Sequence, residues 1–210
     1  MVRIAQLTLA ALLALAAFQA VAADETTAGK VAATAEEAKP LGVGATIPDV
    51  AVKTVDGATA KLRDMVKEKP AVIVFFRGGW CPFCTKHLAA LNKIEPDLVD
   101  LGVQILAISP DTTEEDKAIA EKHKVNYTLL SDEGLAASKQ FGVVFQMDPE
   151  TIEKYKGYKL DLSDTEWQVP VPTVLVVDKE GVIKFQHSEA DYKMRLAPEE
   201  VLAAAKDSLK

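Results

Sequence analysis

The chain has 210 residues, and its 24 Lys and Arg against 31 Asp and Glu give a formal net charge of −7 at pH 7. An acidic chain without a basic cluster repels phosphate backbones, so the composition argues against nucleic acid as a partner. The length suffices for one domain with a sizeable hydrophobic core. Only two cysteines are present, and their spacing has to show whether they form a structural disulfide or a redox site.

The first residues are typical of a secretory signal peptide. Arg3 is followed by an apolar run from about Leu7 to Phe18 and then by small alanines, which is the layout of a cleavable leader. A membrane anchor needs roughly 20 unbroken apolar residues, more than this run supplies. We therefore predict that residues 1–22 are removed, that the mature protein is exported to the periplasm, and that it has no membrane segment.

The composition changes at about residue 41. Residues 23–40 are rich in Ala, Thr and Glu, which predicts a flexible tether. From residue 41 to residue 210 the pattern is that of one globular domain.

Strand and helix signals alternate within this domain, which predicts an α/β fold with a mixed central sheet flanked by helices. The first predicted elements, in chain order, are a strand at Ala71–Phe76, a helix after the cysteines that Pro96 kinks or ends early, and a strand at Val103–Ile108. They are followed by a helix from the capping signature Asp111–Glu115 to about Lys124, a strand at Tyr127–Leu130 and a short helix at Gly134–Phe141. The rest of the chain is predicted to form an irregular insertion at 144–170, a hairpin of strands Thr173–Val177 and Val182–Gln186, and a last helix from Pro198.

The two cysteines stand in the segment FFRGGWCPFC, directly after the first predicted strand. Pro82 follows Cys81, and because proline favours the first helical position, Cys81 is predicted to cap the helix and Cys84 to lie in its first turn. The unpaired N–H groups and the helix dipole at such a site stabilise a thiolate. At this spacing the two sulfurs can also form a disulfide, so one can attack a substrate and the other can resolve the product.

Two other roles for the pair are weaker. A structural disulfide across so short a loop removes little chain entropy. A zinc site needs about four ligands, and only His87 is near in sequence. The strand, CxxC and helix context favours a redox pair that forms a reversible Cys81–Cys84 disulfide, without a metal or organic cofactor.

The segment Trp80–Cys84 resembles the WCxxC active site of thioredoxin-fold proteins. The surrounding sequence is similar to the peroxiredoxin superfamily, the alkyl hydroperoxide reductase/thiol-specific antioxidant group, over about residues 41–210. The resemblance is carried by Leu41–Pro48, by Val171-Pro172-Thr173 before the hairpin, and by the tail from Asp191 to Arg195. It implies a thioredoxin-like fold and a thiol peroxidase activity.

Two departures from the family pattern affect the site. The family usually has Thr or Ser three residues before its peroxide-reacting cysteine, a register in which Cys84 reacts and Cys81 replaces the hydroxyl. Helix-cap physics instead favours Cys81, the outer sulfur, as the nucleophile. The family's arginine before the hairpin strand is replaced by Val171, and Arg77 or Arg195 could supply its charge.

The resemblance also assigns supporting roles around the cysteines. It implies that Pro172 is cis and faces the pair. Trp80 could belong to the core, but its position next to a predicted surface thiol favours a role as a lid and docking surface. His87 is predicted to lie on the exposed side of the helix, with a ligand or proton-relay role as an alternative.

The predicted function is therefore that of a peroxidase that reduces hydrogen peroxide or organic hydroperoxides through Cys81 and Cys84. A thioredoxin-like dithiol protein would regenerate the pair. One alternative is a periplasmic thiol–disulfide oxidoreductase acting on protein disulfides, which the Trp-Cys pairing and the missing arginine favour. Another is a Cu(I)-binding protein that uses the two soft sulfurs.

Overall fold

The computed structural model describes residues 29–209, so the predicted signal peptide, residues 1–22, lies outside the described residues. Nine strands and seven α-helices form this part of the chain. The strands are β1 Ala51–Thr54, β2 Thr59–Lys61, β3 Ala71–Phe75, β4 Gln104–Ser109, β5 Thr128–Ser131, β6 Val144–Gln146, β7 Gln168–Pro170, β8 Thr173–Val177 and β9 Ile183–Ser188. The helices are α1 Leu62–Glu68, α2 Pro82–Leu91, α3 Glu95–Asp100, α4 Thr113–His123, α5 Ala136–Gln140, α6 Pro149–Gly157 and α7 Pro198–Ser208, with 3₁₀ turns at Glu133–Leu135 and Ser163–Thr165.

Seven strands form one mixed sheet in the order β2-β1-β5-β4-β3-β8-β9. β3 lies parallel to β4 and antiparallel to β8, so Val74 stands between Ala107 and Val174. All five residues of β3 are buried, as its continuous apolar sequence predicted. The strand therefore delivers the cysteine segment from the centre of the sheet.

The residues of β3 alternate between two hydrophobic layers. Ile73 and Phe75 belong to the layer on one face of the sheet, and Val72 and Val74 belong to the layer on the other. The second layer also contains both cysteines and the inward residues of α2. The redox pair is thus part of a packed core.

The structure confirms several predictions made from local sequence patterns. Thr112 and Glu115 form a reciprocal capping box at the start of α4. Pro96 opens α3, so the helix that follows the cysteines ends early, at Leu91. β8 and β9 form the predicted antiparallel hairpin, and Pro198 opens the last helix.

The prediction of a flexible tether was wrong for residues 29–40. The Ala32 N–H donates to the Val144 carbonyl at 2.9 Å, and the Ala32 carbonyl accepts the Gln146 N–H at 2.9 Å. Gly142 has a φ of +70°, and a Cβ there would come within 2.2 Å of the Lys39 carbonyl oxygen. Backbone hydrogen bonds and a close approach at a glycine need no large apolar side chain, so composition could not reveal this contact.

The insertion at 144–170 is more regular than predicted. β6 and β7 pair as a separate two-stranded sheet, and α6 lies between them in sequence. Asp148 caps this helix by accepting the Thr151 N–H at 2.9 Å, and Pro149 occupies its first turn. An Asp-Pro pair is a recognised helix start, so the sequence did contain this signal. No helix within residues 29–209 is long and apolar enough to cross a bilayer.

Candidate active site

Cys81 is the N-cap residue of α2, as the sequence predicted. Its backbone is extended (φ −88°, ψ 111°), and Pro82 occupies the first turn. The Cys81 carbonyl accepts the N–H groups of Cys84 at 3.0 Å and of Thr85 at 3.1 Å. Both thiols therefore lie at the positive end of the helix, where negative charge is stabilised.

A tight turn brings the chain from β3 to this cap. Gly78 has a φ of +132°, and a Cβ there would lie 2.5 Å from Trp80 Nε1 and 2.7 Å from Asp111 Oδ1. The next residue, Gly79, donates its N–H to Asp111 Oδ2 at 2.7 Å. The Gly-Gly pair thus allows the turn to pack directly against a side chain from the end of β4.

Asp111 belongs to a buried polar network that sequence reasoning missed. Ser109 Oγ donates to Asp111 Oδ2 at 3.0 Å and lies 3.4 Å from Asp116 Oδ1. Burial raises the pKa of Asp111 to about 6 and, together with the Asp111 charge, the pKa of Asp116 to about 8. At neutral pH the pair therefore retains a proton, and a charged Asp111 holds the turn before the cysteines.

Both cysteines are buried, each with 1% of its surface exposed. The prediction that Cys81 is the solvent-exposed outer sulfur was therefore wrong, since residues from distant segments cover the cap. The Trp80 ring lies against Tyr155 of α6, with centroids 5.5 Å apart, and Phe83 lies against Tyr192, 5.7 Å apart. Cys81 nevertheless lines a pocket of about 470 Å³ at this aromatic cover.

The two thiols differ strongly in acidity. A hydrogen bond from Cys84 lowers the pKa of Cys81 from an ordinary 9.0 to about 6, with further help from the backbone N–H of Cys84 and from the charges of Arg77 and Arg195. Burial and the neighbouring Cys81 raise the pKa of Cys84 well above its ordinary value. Cys81 is thus the thiolate at neutral pH, and Cys84 is the thiol that donates to it.

Arg77 lies inside an aromatic cluster beside the pair. Its side chain is only 2% exposed, and its guanidinium carbon lies 4.9 Å from the Trp80 ring centroid and 4.5 Å from that of Tyr192. Nη2 donates to the Tyr155 hydroxyl at 3.4 Å, whereas Nε and Nη1 have no partner among the described residues. This buried cation supplies positive charge to the cysteines without a carboxylate that would neutralise it.

Arg195 reaches the pair from the other side. Its Nη2 donates to Cys84 Sγ at 3.3 Å, and its Nη1 donates to the carbonyls of Tyr192 and Met194. The structure therefore places both arginines named from the sequence beside the two cysteines. Tyr155 and Tyr192, which hold Arg77, were not identified from the sequence because they lie far from the motif along the chain.

Two further residues differ from their predictions. The Val171–Pro172 peptide is trans, since residues 29–209 contain no cis peptide bond. It lies between β7 and β8, and the Val171 N–H donates to the Val143 carbonyl at 2.7 Å. His87 is 7% exposed rather than solvent-facing, because the tail segment around Leu196 covers that side of α2. Burial and the charge of Arg195 lower the pKa of His87 to about 4, so the imidazole is neutral.

The family assignment agrees with this geometry. The family model described as "AhpC/TSA family" matches residues 43–186, more than half of the chain. The chain belongs to the AhpC/TSA family. The predicted peroxiredoxin resemblance is thereby confirmed, and with its CxxC pair, Cys81 and Cys84, this AhpC/TSA protein is a thiol-dependent peroxidase, an oxidoreductase.

Individual relatives of the AhpC/TSA protein are peroxiredoxins. It is 30% identical over 145 residues to the chloroplastic peroxiredoxin Q of Sedum lineare, a match that covers 69% of this chain and 68% of the relative. It is also 30% identical over 142 residues to the chloroplastic peroxiredoxin Q of Triticum aestivum, covering 68% of this chain and 57% of the relative. The match thus spans little more than half of the wheat protein.

Solved structures confirm the thioredoxin-like fold of the AhpC/TSA protein. Peroxiredoxin Q of Xanthomonas campestris superimposes with a TM-score of 0.64 at 21% sequence identity, covering 80% of this chain and 99% of that one. At this identity the similarity concerns the fold, and the roles of individual side chains have to come from the geometry of the site.

Proposed function

We propose that this AhpC/TSA protein reduces hydrogen peroxide and small organic hydroperoxides, with Cys81 as the attacking sulfur and Cys84 as the resolving sulfur. The observation that carries the proposal is the arrangement of Cys81. It caps α2, its pKa is lowered to about 6, and it lines the pocket, whereas its partner is held as a thiol.

The chemistry follows from that arrangement. The Cys81 thiolate attacks the terminal peroxide oxygen, the O–O bond breaks, and the leaving alkoxide or hydroxide takes up a proton to become an alcohol or water. Cys81 becomes a sulfenic acid. The Cys84 sulfur then attacks the Cys81 sulfur, water leaves, and a Cys81–Cys84 disulfide forms.

The burial of both sulfurs favours a small substrate over a protein disulfide. A peroxide can reach Cys81 through the pocket, but a protein disulfide would have to approach a sulfur that is 1% exposed beneath Trp80 and its aromatic neighbours. The alternative of a general thiol–disulfide oxidoreductase therefore requires this cover to open before every reaction. The peroxidase requires the cover to open only for the step in which a dithiol protein reduces the Cys81–Cys84 disulfide.

Regeneration of the pair needs an external dithiol. We propose that a thioredoxin-like protein attacks the Cys81–Cys84 disulfide, leaves with its own dithiol oxidised, and returns two thiols to this chain. We also propose that this takes place after export, in the periplasm, as the leader-like residues 1–22 suggest.

The proposal is tested by assaying peroxide consumption and insulin-disulfide reduction on the same mature protein. We expect peroxide turnover with thioredoxin as reductant and little insulin reduction, while the reverse result would favour the oxidoreductase. A sulfenic-acid probe then identifies the attacking sulfur. Cys84→Ser should be labelled at Cys81 after peroxide, and labelling only in Cys81→Ser would assign the attack to Cys84.

A further inference from the structure

The pocket that Cys81 lines has an unusual composition. Five of its ten lining residues are aromatic, and they include three of the four tyrosines of the chain. The only charged residues of the lining are Lys154 and Lys159. A protein with a net charge of −7 thus surrounds its reactive sulfur with aromatic surface and two cations, and with no carboxylate.

Both lysines come from α6 and the residues that directly follow it. Lys154 and Tyr155 lie in the last turn of α6, and Tyr158 and Lys159 directly follow its end at Gly157. One short segment thus brings two basic and two aromatic side chains to the same pocket. Neither Lys154 nor Lys159 forms an ion pair with any residue in 29–209.

The neighbouring Lys156 provides an internal comparison. It does not line the pocket; it forms an ion pair with Glu153 at 2.9 Å and lies 5.7 Å from the Trp167 ring centroid. The lysine that faces away from the pocket is therefore paired within the protein, whereas the two that line the pocket have their charges available for a ligand.

We propose that this pocket selects hydroperoxides that combine an apolar or aromatic body with a carboxylate. The aromatic walls bind the body, Lys154 and Lys159 bind the carboxylate by charge-assisted hydrogen bonds, and the hydroperoxide group lies at Cys81. A pocket of about 470 Å³ has the size of a small-molecule site, whereas hydrogen peroxide alone would leave most of it empty. The inference rests on the proposed peroxidase function and names the substrate class for it.

The test compares three related substrates: cumene hydroperoxide, its para-carboxylate derivative, and the methyl ester of that derivative. For the unmodified protein we expect kcat/KM to be about fivefold or more higher for the carboxylate than for the ester, since each exposed ion pair supplies up to about fivefold. High salt should reduce this preference because the lysines are solvent-accessible.

Variants then assign the preference to the two lysines. We expect the double variant Lys154→Gln/Lys159→Asn to lose about tenfold in kcat/KM for the carboxylate, and less than about twofold for the ester and for hydrogen peroxide. Asparagine is chosen at position 159 because that residue has a φ of +60°, which Asn tolerates. Lys156→Gln is the matched control and should leave all the values unchanged.

The outcomes separate this inference from the function on which it rests. If the unmodified protein consumes hydrogen peroxide but uses the carboxylate no better than the ester, the substrate proposal is overturned and the peroxidase stands. If Lys156→Gln lost as much kcat/KM for the carboxylate as the double variant does, the substrate proposal would also be overturned, since the effect would then come from the overall charge of the protein. If none of the peroxides is consumed, the proposed function itself fails.

Discussion

Replacing Cys84 by alanine should raise the pKa of Cys81, since the hydrogen bond from Cys84 is the largest cause of its low value. In the structure the buried Cys84 thiol donates to the Cys81 sulfur, while Arg77 and Arg195 contribute smaller electrostatic effects. Alanine removes the donor and leaves both arginines in place. Serine at the same position keeps a hydroxyl donor, so Cys84→Ser is the matched control.

The size of the change follows from the strength of such a bond. A hydrogen bond to a charged group is worth about 1.5–3 kcal/mol, and a pKa shift of one unit corresponds to about 1.4 kcal/mol. A thiol is a weak donor, so we expect the Cys81 pKa to rise by about one unit, from about 6 to about 7. The Cys84→Ser variant should stay at about 6 or fall below it.

The assay is the pH dependence of alkylation by iodoacetamide. The midpoint, rather than the rate at pH 7, is the quantity to measure, because a more basic thiolate is also intrinsically more nucleophilic and partly offsets its lower population. A midpoint near 9 in the unmodified protein would refute the reasoning. An alkylation midpoint that is equal in the Cys84→Ala and Cys84→Ser variants would also refute it. The same holds if Cys81→Ser still shows alkylation with a midpoint near pH 6.

Three further predictions concern the surroundings of the pair. In the folded protein Asp116 keeps its proton up to about pH 8, whereas the unfolded chain releases it near pH 4, so the buried acid lowers the free energy of unfolding as pH rises between these values. Urea unfolding at pH 5, 7 and 9 should therefore show the free energy of unfolding of Asp116→Asn rising relative to that of the unmodified protein. A difference that does not change with pH would contradict this. Gly78→Ala should cost about 1–3 kcal/mol in the same unfolding experiment and slow Cys81 alkylation, because its Cβ meets Trp80 and Asp111; unchanged values would show that the turn adapts. Pro172→Ala should leave disulfide exchange within about twofold, since the peptide is already trans and alanine keeps that isomer; a large loss would restore Pro172 to the site.

Sequence alone determined the parts of this site that depend on neighbours along the chain. The apolar run Ala71–Phe76, the glycine pair and Pro82 together specify a buried strand, a turn and a helix start, which are local preferences. They suffice to place Cys81 at the cap and Cys84 in the first turn. The capping box at Thr112 and the early helix end before Pro96 were predictable for the same reason.

Only the tertiary structure decided what surrounds the two sulfurs. Arg195 contacts Cys84 although 111 positions separate them, and Asp111 reaches the turn because β4 lies beside β3 in the sheet. Neither contact follows from spacing, since it depends on strand order and on where α6 and the C-terminal tail fold back. The burial of Cys81 has the same origin: a helix cap is exposed by itself, and it becomes covered here because Tyr155 and Tyr192 arrive from distant segments to pack around Trp80 and Arg77.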